Sequence, residues 1–200
     1  MDEDLEYSFC RNDLGLILLV MRVKTKKLVT ASLGHDEGSL LKLAEQDFQK
    51  LTKKTHVQYI LRQVDAAENN QDFDKLQTHF LSLLDPSGAD GDEQSSGKRR
   101  SVLEYEFLFG TPFQKKVWAE LTKVPFGRTV TYGETARNIG LPNAIRAVGT
   151  AVGQNRLAVV VPCHRCLPSD GKIGKFRWGS DLKQKLLLQE KIIKKRNDVQ

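Results

Sequence analysis

Apolar and polar positions along the 200-residue chain fall into two stretches of different rhythm, parted by a segment with almost no apolar residues. In the first stretch apolar residues crowd into 16–23 and 28–33, which predicts two strands with a turn at Thr25-Lys26. Residues 39–51 follow, with Leu40, Leu43, Ala44 and Phe48 at the spacing of one helix face. A further helix is expected through Ile60, Leu61 and Val64, and another carrying Phe73, Leu76, Phe80 and Leu83. Strands followed by helices predict a small α+β unit over residues 1–85. Residues 86–101, with Pro86, Ser87, Gly88, Gly91, Ser95, Ser96 and Gly97, read as a flexible linker, because they hold too little apolar surface to bury. Lys98-Arg99-Arg100 ends it as a solvated charge run.

The second stretch, 102–200, is helix-rich. Residues 105–109 are a short strand or extended segment. Thr111 then caps a helix with Pro112 at its first position, and Phe113, Val117, Trp118 and Leu121 form its buried stripe. Thr131-Tyr132-Gly133-Glu134 has the form of a capping box, opening a short helix that stops at Gly140. Leu141-Pro142-Asn143 turns the chain, Asn143 serves as the next cap, and 144–153 forms a second helix. Two short helices joined by a Gly/Pro turn are a helix-turn-helix pattern.

That second helix is built from small residues: Ala144, Ala147, Gly149, Thr150, Ala151 and Gly153. A glycine costs roughly 1 kcal/mol relative to alanine in a helix interior. Two of them imply that something approaches the backbone closely, either a wall of a DNA groove or a neighbouring helix. Arg146 stands near the helix start, where recognition helices make contact.

The apolar run 157–161 reads as a buried strand that delivers Pro162-Cys163-His164-Arg165 to the edge of a core. A cysteine is a nucleophile only as the thiolate, and a neighbouring imidazole can generate it. A buried structural thiol beside a surface histidine would leave the same trace in an isolated dipeptide; the flanking motifs favour chemistry.

Charge sharpens the picture. Residues 1–101 carry 14 basic and 17 acidic side chains, a net −3, whereas 102–200 carry 17 and 8, a net +9. Setting aside the terminal cluster Lys191, Lys194, Lys195 and Arg196 still leaves the second half at +5, the balance of a surface that meets a polyanion. No apolar run is long enough to span a membrane, and Met1-Asp2-Glu3-Asp4 has no signal-peptide core behind it. Three cysteines, an odd number, suggest free thiols in a reducing compartment. His35, His56 and His79 are scattered and only Cys10 could join them, so no four-ligand zinc site is expected.

Taken together, Pro162-Cys163-His164-Arg165 after an apolar run, Asn155 before it, Arg146-Ala147-Val148-Gly149, Phe126-Gly127 leading to Thr131-Tyr132, the loop Gly174-Lys175-Phe176-Arg177-Trp178-Gly179 and the helix carrying Glu190 resemble the O6-alkylguanine-DNA alkyltransferases. The resemblance covers residues 104–190 in order and spacing, and Phe107-Leu108-Phe109-Gly110-Thr111 is similar to fungal members. It implies a ribonuclease-H-like α+β domain at 1–85 and a DNA-binding and alkyl-transfer domain at 102–200. The implied activity is stoichiometric transfer of an alkyl group from O6-alkylguanine, with O4-alkylthymine a further candidate, to Cys163, without cofactor or metal. The implied partner is double-stranded DNA, met through the minor groove with the damaged base flipped out. The protein is expected to be monomeric and nuclear, with the cytoplasm as the alternative.

The same resemblance assigns roles. Cys163 is the acceptor, His164 takes its proton through a water, Glu190 orients His164, and Tyr132 donates to guanine N3. Arg146 fills the space left by the extruded base, and Asn155 holds the turn before Cys163. Thr131, Ala147, Gly149, Arg165 and Cys166 join the DNA- and substrate-binding set. Gly174, Phe176, Arg177 and Trp178 wall the base pocket, with Phe176 and Trp178 narrowing it against large O6 substituents. Cys166 replaces an aliphatic residue common in relatives and creates Cys163-x-x-Cys166, which an oxidant could close into an inactivating disulfide.

Two rival readings remain at this stage. A non-catalytic alkyltransferase-like module would bind damaged DNA but lacks the cysteine. A cysteine hydrolase would use Cys163 and His164 but has no need of a helix-turn-helix.

Overall fold

The computed structural model describes residues 2–64, 70–84 and 103–194. The linker 86–101 with Lys98-Arg99-Arg100, and the terminal Lys195 and Arg196, lie outside the described residues. The chain divides into two units, Met1–Phe109 and Gly110–Gln200.

The first unit is a four-stranded sheet of order β3-β2-β1-β4 with helices. β1 (Asp2–Asn12), β2 (Gly15–Arg22) and β3 (Lys27–Gly34) form an antiparallel meander. α1 (Glu37–Thr55) then crosses over to β4 (Gln58–Gln63), which pairs with β1 in parallel, and α2 (Gln71–Ser82) follows. α1 starts where Asp36 accepts from the Ser39 amide at 2.8 Å, and it lays Leu40, Ala44, Phe48 and Leu51 on Leu16, Leu18 and Val20 of the sheet. That apolar sandwich is the core of the unit.

Two sequence expectations fail in this unit. Ile60 and Leu61 belong to a strand, not a helix. Leu61 pairs with Leu5 while Ile60 is 45 % exposed, so the period is two, which so short an apolar group does not distinguish from a helix turn. β1 has no clear strand pattern in the sequence, because its acidic residues mask the alternation of Leu5 and Tyr7, both buried. The segment after the linker also sits differently from a boundary at 102. Tyr105 bridges Leu28 at the edge of β3, with Leu28 N donating to Glu104 O and Glu106 N to Leu28 O, each at 3.0 Å. This extended segment therefore completes the first unit.

The second unit holds α3 (Pro112–Leu121), β5 (Val130–Thr131), α4 (Tyr132–Asn138), α5 (Ile145–Gly153), a 3-10 turn at Cys163–Arg165, β6 (Cys166–Leu167) and α6 (Ser180–Gln189). Reciprocal capping boxes open α3, through Thr111 and Gln114, and α4, through Thr131 and Glu134. Trp118 is buried and donates through Nε1 to Ala151 O at 2.8 Å, which fastens α3 to α5. Gly140, at φ +77, ends the α4 turn in a conformation that favours glycine.

Asn143 is not the cap of α5: Ala144 holds that position with no side-chain hydrogen bond. Residues 157–161 are largely buried but form turns rather than a strand. The 160 and 161 amides close back onto the 158 and 157 carbonyls, which leaves no extended edge.

Candidate active site

The turn that presents Cys163 is built around one buried side chain. Asn155 accepts from the Leu157 amide at 2.8 Å, and its Nδ2 lies 3.1 Å from each of Leu157 O, Val161 O and Cys163 Sγ. These bonds hold a compact loop in which Val159 adopts φ 68, a left-handed conformation that a β-branched residue rarely takes. An apolar sequence folds into turns here because Asn155 satisfies backbone groups that a strand would have paired in a ladder.

Cys163 and His164 are both buried. Burial pushes the Cys163 thiol up to about 11, against the opposing influence of the Asn155 hydrogen bond and the positive charges of Lys183 and Arg177. Burial also depresses His164, and the charges of Arg165 and Lys183 add to that, against the pull of Glu190. The resting pair is therefore a neutral thiol and a neutral imidazole.

His164 Nε2 lies 2.7 Å from Glu190 Oε1. His164 Nδ1 is buried and has no hydrogen-bond partner among the described residues. Burial alone would raise the Glu190 carboxyl, but hydrogen bonds and charge from His164 and Arg165 bring it down to about 2. Arg165 reaches Glu190 through Nε at 2.9 Å and Nη2 at 2.9 Å, and donates through Nη1 to Val124 O at 2.7 Å. Its guanidinium also stands over the Phe126 ring, while Glu190 Oε2 accepts from the Gly127 amide at 3.1 Å. Arg165 thus points inward as a clamp on Glu190, with its side chain 11 % exposed, rather than outward to a DNA surface.

β5 and β6 pair in parallel, Val130 with Cys166 and Thr131 with Leu167, and this carries the start of α4 to the cysteine turn. Thr131 is occupied as the cap of α4. Tyr132, the next residue, is partly buried; desolvation raises its phenol, so it keeps its proton. Gly174, at φ +72, brings the 174–179 loop against it: a Cβ there would stand 2.9 Å from Pro168 Cγ and 3.5 Å from the Tyr132 hydroxyl. Phe176 is half-buried and packs edge-to-face on the buried Trp178 at 5.0 Å between centroids. Arg177 is half-buried in the same loop. Cys166 is buried against Thr135, and its thiol is pushed up to about 12 by desolvation. Both cysteines are free thiols.

On the helix-turn-helix, α5 buries Val148, Ala151 and Val152 and leaves Arg146 and Ala147 exposed. A Cβ added at Gly149 or Gly153 would meet nothing within 4 Å. Close packing against a neighbouring helix is therefore not what these glycines serve; the face is open to something outside the unit.

Sequence reasoning passed over Lys183. It is fully buried on α6, donates to Cys166 O at 2.9 Å, and its charge acts on both cysteines. A lysine within an ordinary amphipathic helix carries no sign of this beyond its place two turns before Glu190. Among the described residues, no group of three or more His, Cys, Asp or Glu could hold a metal ion, and no helix is long and apolar enough to cross a membrane.

Comparison with known proteins finds relatives over most of the chain. Residues 112–192 match the family described as 6-O-methylguanine DNA methyltransferase, DNA binding domain. A methylated-DNA–protein-cysteine methyltransferase of Saccharomyces cerevisiae is 40 % identical over 195 residues, covering 96 % of this chain and 95 % of that one. One of Candida glabrata is 36 % identical over 193 residues, covering 95 % and 88 %. The crystal structure of the O6-methylguanine-DNA methyltransferase of Pyrococcus kodakaraensis superposes with a TM-score of 0.66 at 27 % identity, over 93 % of this chain and 98 % of that one. Mycobacterium tuberculosis OGT, crystallised in complex with DNA, gives 0.62 at 26 %, over 94 % and 92 %.

Proposed function

The chain belongs to the methylated-DNA–protein-cysteine methyltransferase family, whose reaction moves an alkyl group directly from DNA to a cysteine, and we propose that Cys163 is the acceptor here. The observation that carries this is the pairing of Cys163, held at sulfur by Asn155, with the adjoining His164–Glu190 couple. Cys10 belongs to the other unit, and the Cys166 thiol is pushed higher than that of Cys163.

The residues divide the work as follows. His164 Nε2 is taken by Glu190, so Nδ1 is the nitrogen that accepts the Cys163 proton, through one bridging water. Glu190, kept anionic by Arg165, steadies the imidazolium that forms. Lys183 and Asn155 stabilise the thiolate. The sulfur attacks the alkyl carbon, the carbon–O6 bond breaks, and its electron pair stays on guanine. Tyr132, which holds its proton at neutral pH, supplies it or a hydrogen bond to N3. The product is a thioether that no group here can reverse, so each molecule acts once.

The substrate is O6-alkylguanine in duplex DNA, met in the minor groove by α5. Arg146 takes the place of the flipped base, the exposed Ala147 and open Gly149 allow close approach, and the 174–179 loop walls the pocket. Phe176 and Trp178 give that loop bulk, which favours small alkyl groups. The protein acts as a monomer in the nucleus. Incubation with O6-benzylguanine tests the reading: one benzyl group should be bound per protein molecule with no further turnover. Continued turnover would mark a hydrolase, and no transfer from either this base or an O6-methylguanine duplex a binding module.

A further inference from the structure

Four large apolar side chains are exposed among the described residues: Ile60, Leu83, Leu141 and Ile145. Two of them stand on the helix-turn-helix, Leu141 in its turn and Ile145 as the first residue of α5, directly before Arg146. Ile145 is 47 % exposed, in a helix whose other large apolar residues, Val148 and Val152, are buried.

Its position on the helix is specific. With Val148, Ala151 and Val152 facing inward and about 100° between successive residues, the outward direction runs through Arg146, Thr150 and Gly153. Ile145 lies within about 20° of Val152, at the edge of the inward stripe, and is left exposed by its place as the first residue of the helix. Its Cδ1 stands 3.9 Å from where a Cβ of Gly133 would be, and Gly133 follows Tyr132. An exposed isoleucine therefore stands next in sequence to the arginine assigned to the vacated stack and beside Gly133, the neighbour of the tyrosine assigned to the flipped base.

The surroundings say what covers it. Arg137 and Arg146 are exposed on the same two helices, in the half of the chain with a net charge of +9. The partner is thus a polyanion. The apolar surface such a partner offers lies in the deoxyribose edges and base faces of the minor groove, where proteins insert apolar wedges to hold an opened step. We infer that Ile145 is such a wedge: it packs against the sugar edges beside the extruded nucleotide and, with Arg146, keeps the opened step from closing. The inference rests on the alkyltransferase reading and adds a specificity-determining residue to it. Ile145 favours duplex substrate through apolar contact, and Arg146 through charge and space filling.

The test compares wild type, Ile145→Ala and Ile145→Met. Each is assayed for affinity for an O6-methylguanine duplex at several salt concentrations, single-turnover repair of that duplex, and transfer from free O6-benzylguanine. Wild type should bind with a slope of log K against log salt of about −4 to −5, as for about five phosphate contacts. Ile145→Ala should lower duplex affinity and repair rate by about tenfold, the scale expected for losing roughly two newly buried methylene-sized groups. Its salt slope and its rate on the free base should stay unchanged, and Ile145→Met should recover most of the loss. Unchanged duplex repair in Ile145→Ala would overturn the inference. Equal slowing on both substrates would do so too, since it would mean that Ile145 only supports Tyr132. A wild-type slope near zero would overturn the DNA reading beneath it as well, and is seen before any variant is compared.

Discussion

Asn155 donates to the Cys163 sulfur at 3.1 Å with the same amide nitrogen that reaches the carbonyls of Leu157 and Val161. One side chain thus shapes the loop and holds the nucleophile. Asn155→Ala would leave those buried carbonyls without this donor and Val159 without the bonds that impose its strained backbone. It should cost ~3 kcal/mol of stability and slow transfer from free O6-benzylguanine more than tenfold. Asn155→Asp keeps the acceptor for the Leu157 amide but sets a negative charge beside the thiol. It should push Cys163 still higher, which the pH dependence of its alkylation by iodoacetamide would register.

Acid should destabilise the protein in two ranges. His164 is depressed by burial below its usual 6.5, so the unfolded chain takes up that proton first and stability falls as pH drops below about 6.5. Glu190 is held at about 2 against an ordinary 4.5, so its contribution is full above about 4.5 and is lost as pH falls towards 2. That second loss amounts to ~3 kcal/mol at most. Glu190→Gln should be less stable at neutral pH, and its thermal midpoint should fall less steeply between pH 4.5 and 2 than that of wild type, the remaining slope coming from the other lowered carboxylates, Glu3, Asp36, Glu134 and Asp170. A wild-type slope retained in the variant would assign the acid limb to other groups.

Arg146→Ala should slow repair of duplex DNA far more than transfer from the free base. Extrusion costs a few kcal/mol of unstacking and unpairing, and a side chain filling the gap offsets part of it. The free base is already unstacked. If Arg146 were only a surface charge, the ratio of the two single-turnover rates would not change.

Gly149 offers a separation of stability from function. Its Cβ position is open, so Gly149→Ala should stabilise α5 by up to ~1 kcal/mol through helix propensity. Gly149→Leu should fold equally well and react normally with O6-benzylguanine, yet bind the duplex poorly because its side chain blocks the approach. Normal duplex binding by Gly149→Leu would remove this face from the DNA interface.

The second unit was the more legible in sequence, for a physical reason. Its helix starts are written in local chemistry: Thr111 with Pro112 and Gln114, and Thr131 with Glu134, act within one turn of chain. Strand β4 depends on a distant partner, since Gln58 to Gln63 become a strand by pairing with β1, and no local pattern states that. The 157–161 run misled for the same reason in reverse: its apolar residues suggest a strand, whereas the hydrogen bonds of Asn155 impose a turn. Cys163, His164 and Glu190 were readable through their resemblance to a family. The inward turn of Arg165 onto Glu190 and the buried place of Lys183 come from packing, which spacing along the chain does not encode.

The central claim, that Cys163 is the alkyl acceptor, is tested most directly by mapping the modification. The protein is reacted to completion with an O6-methylguanine duplex, digested, and its cysteine peptides analysed by mass spectrometry, with Cys163→Ser in parallel. One methyl group per molecule should be found on Cys163, Cys10 and Cys166 should remain unmodified, and Cys163→Ser should bind the duplex without removing the methyl. A methyl group on Cys10 or Cys166, or demethylated DNA from Cys163→Ser, would contradict the account.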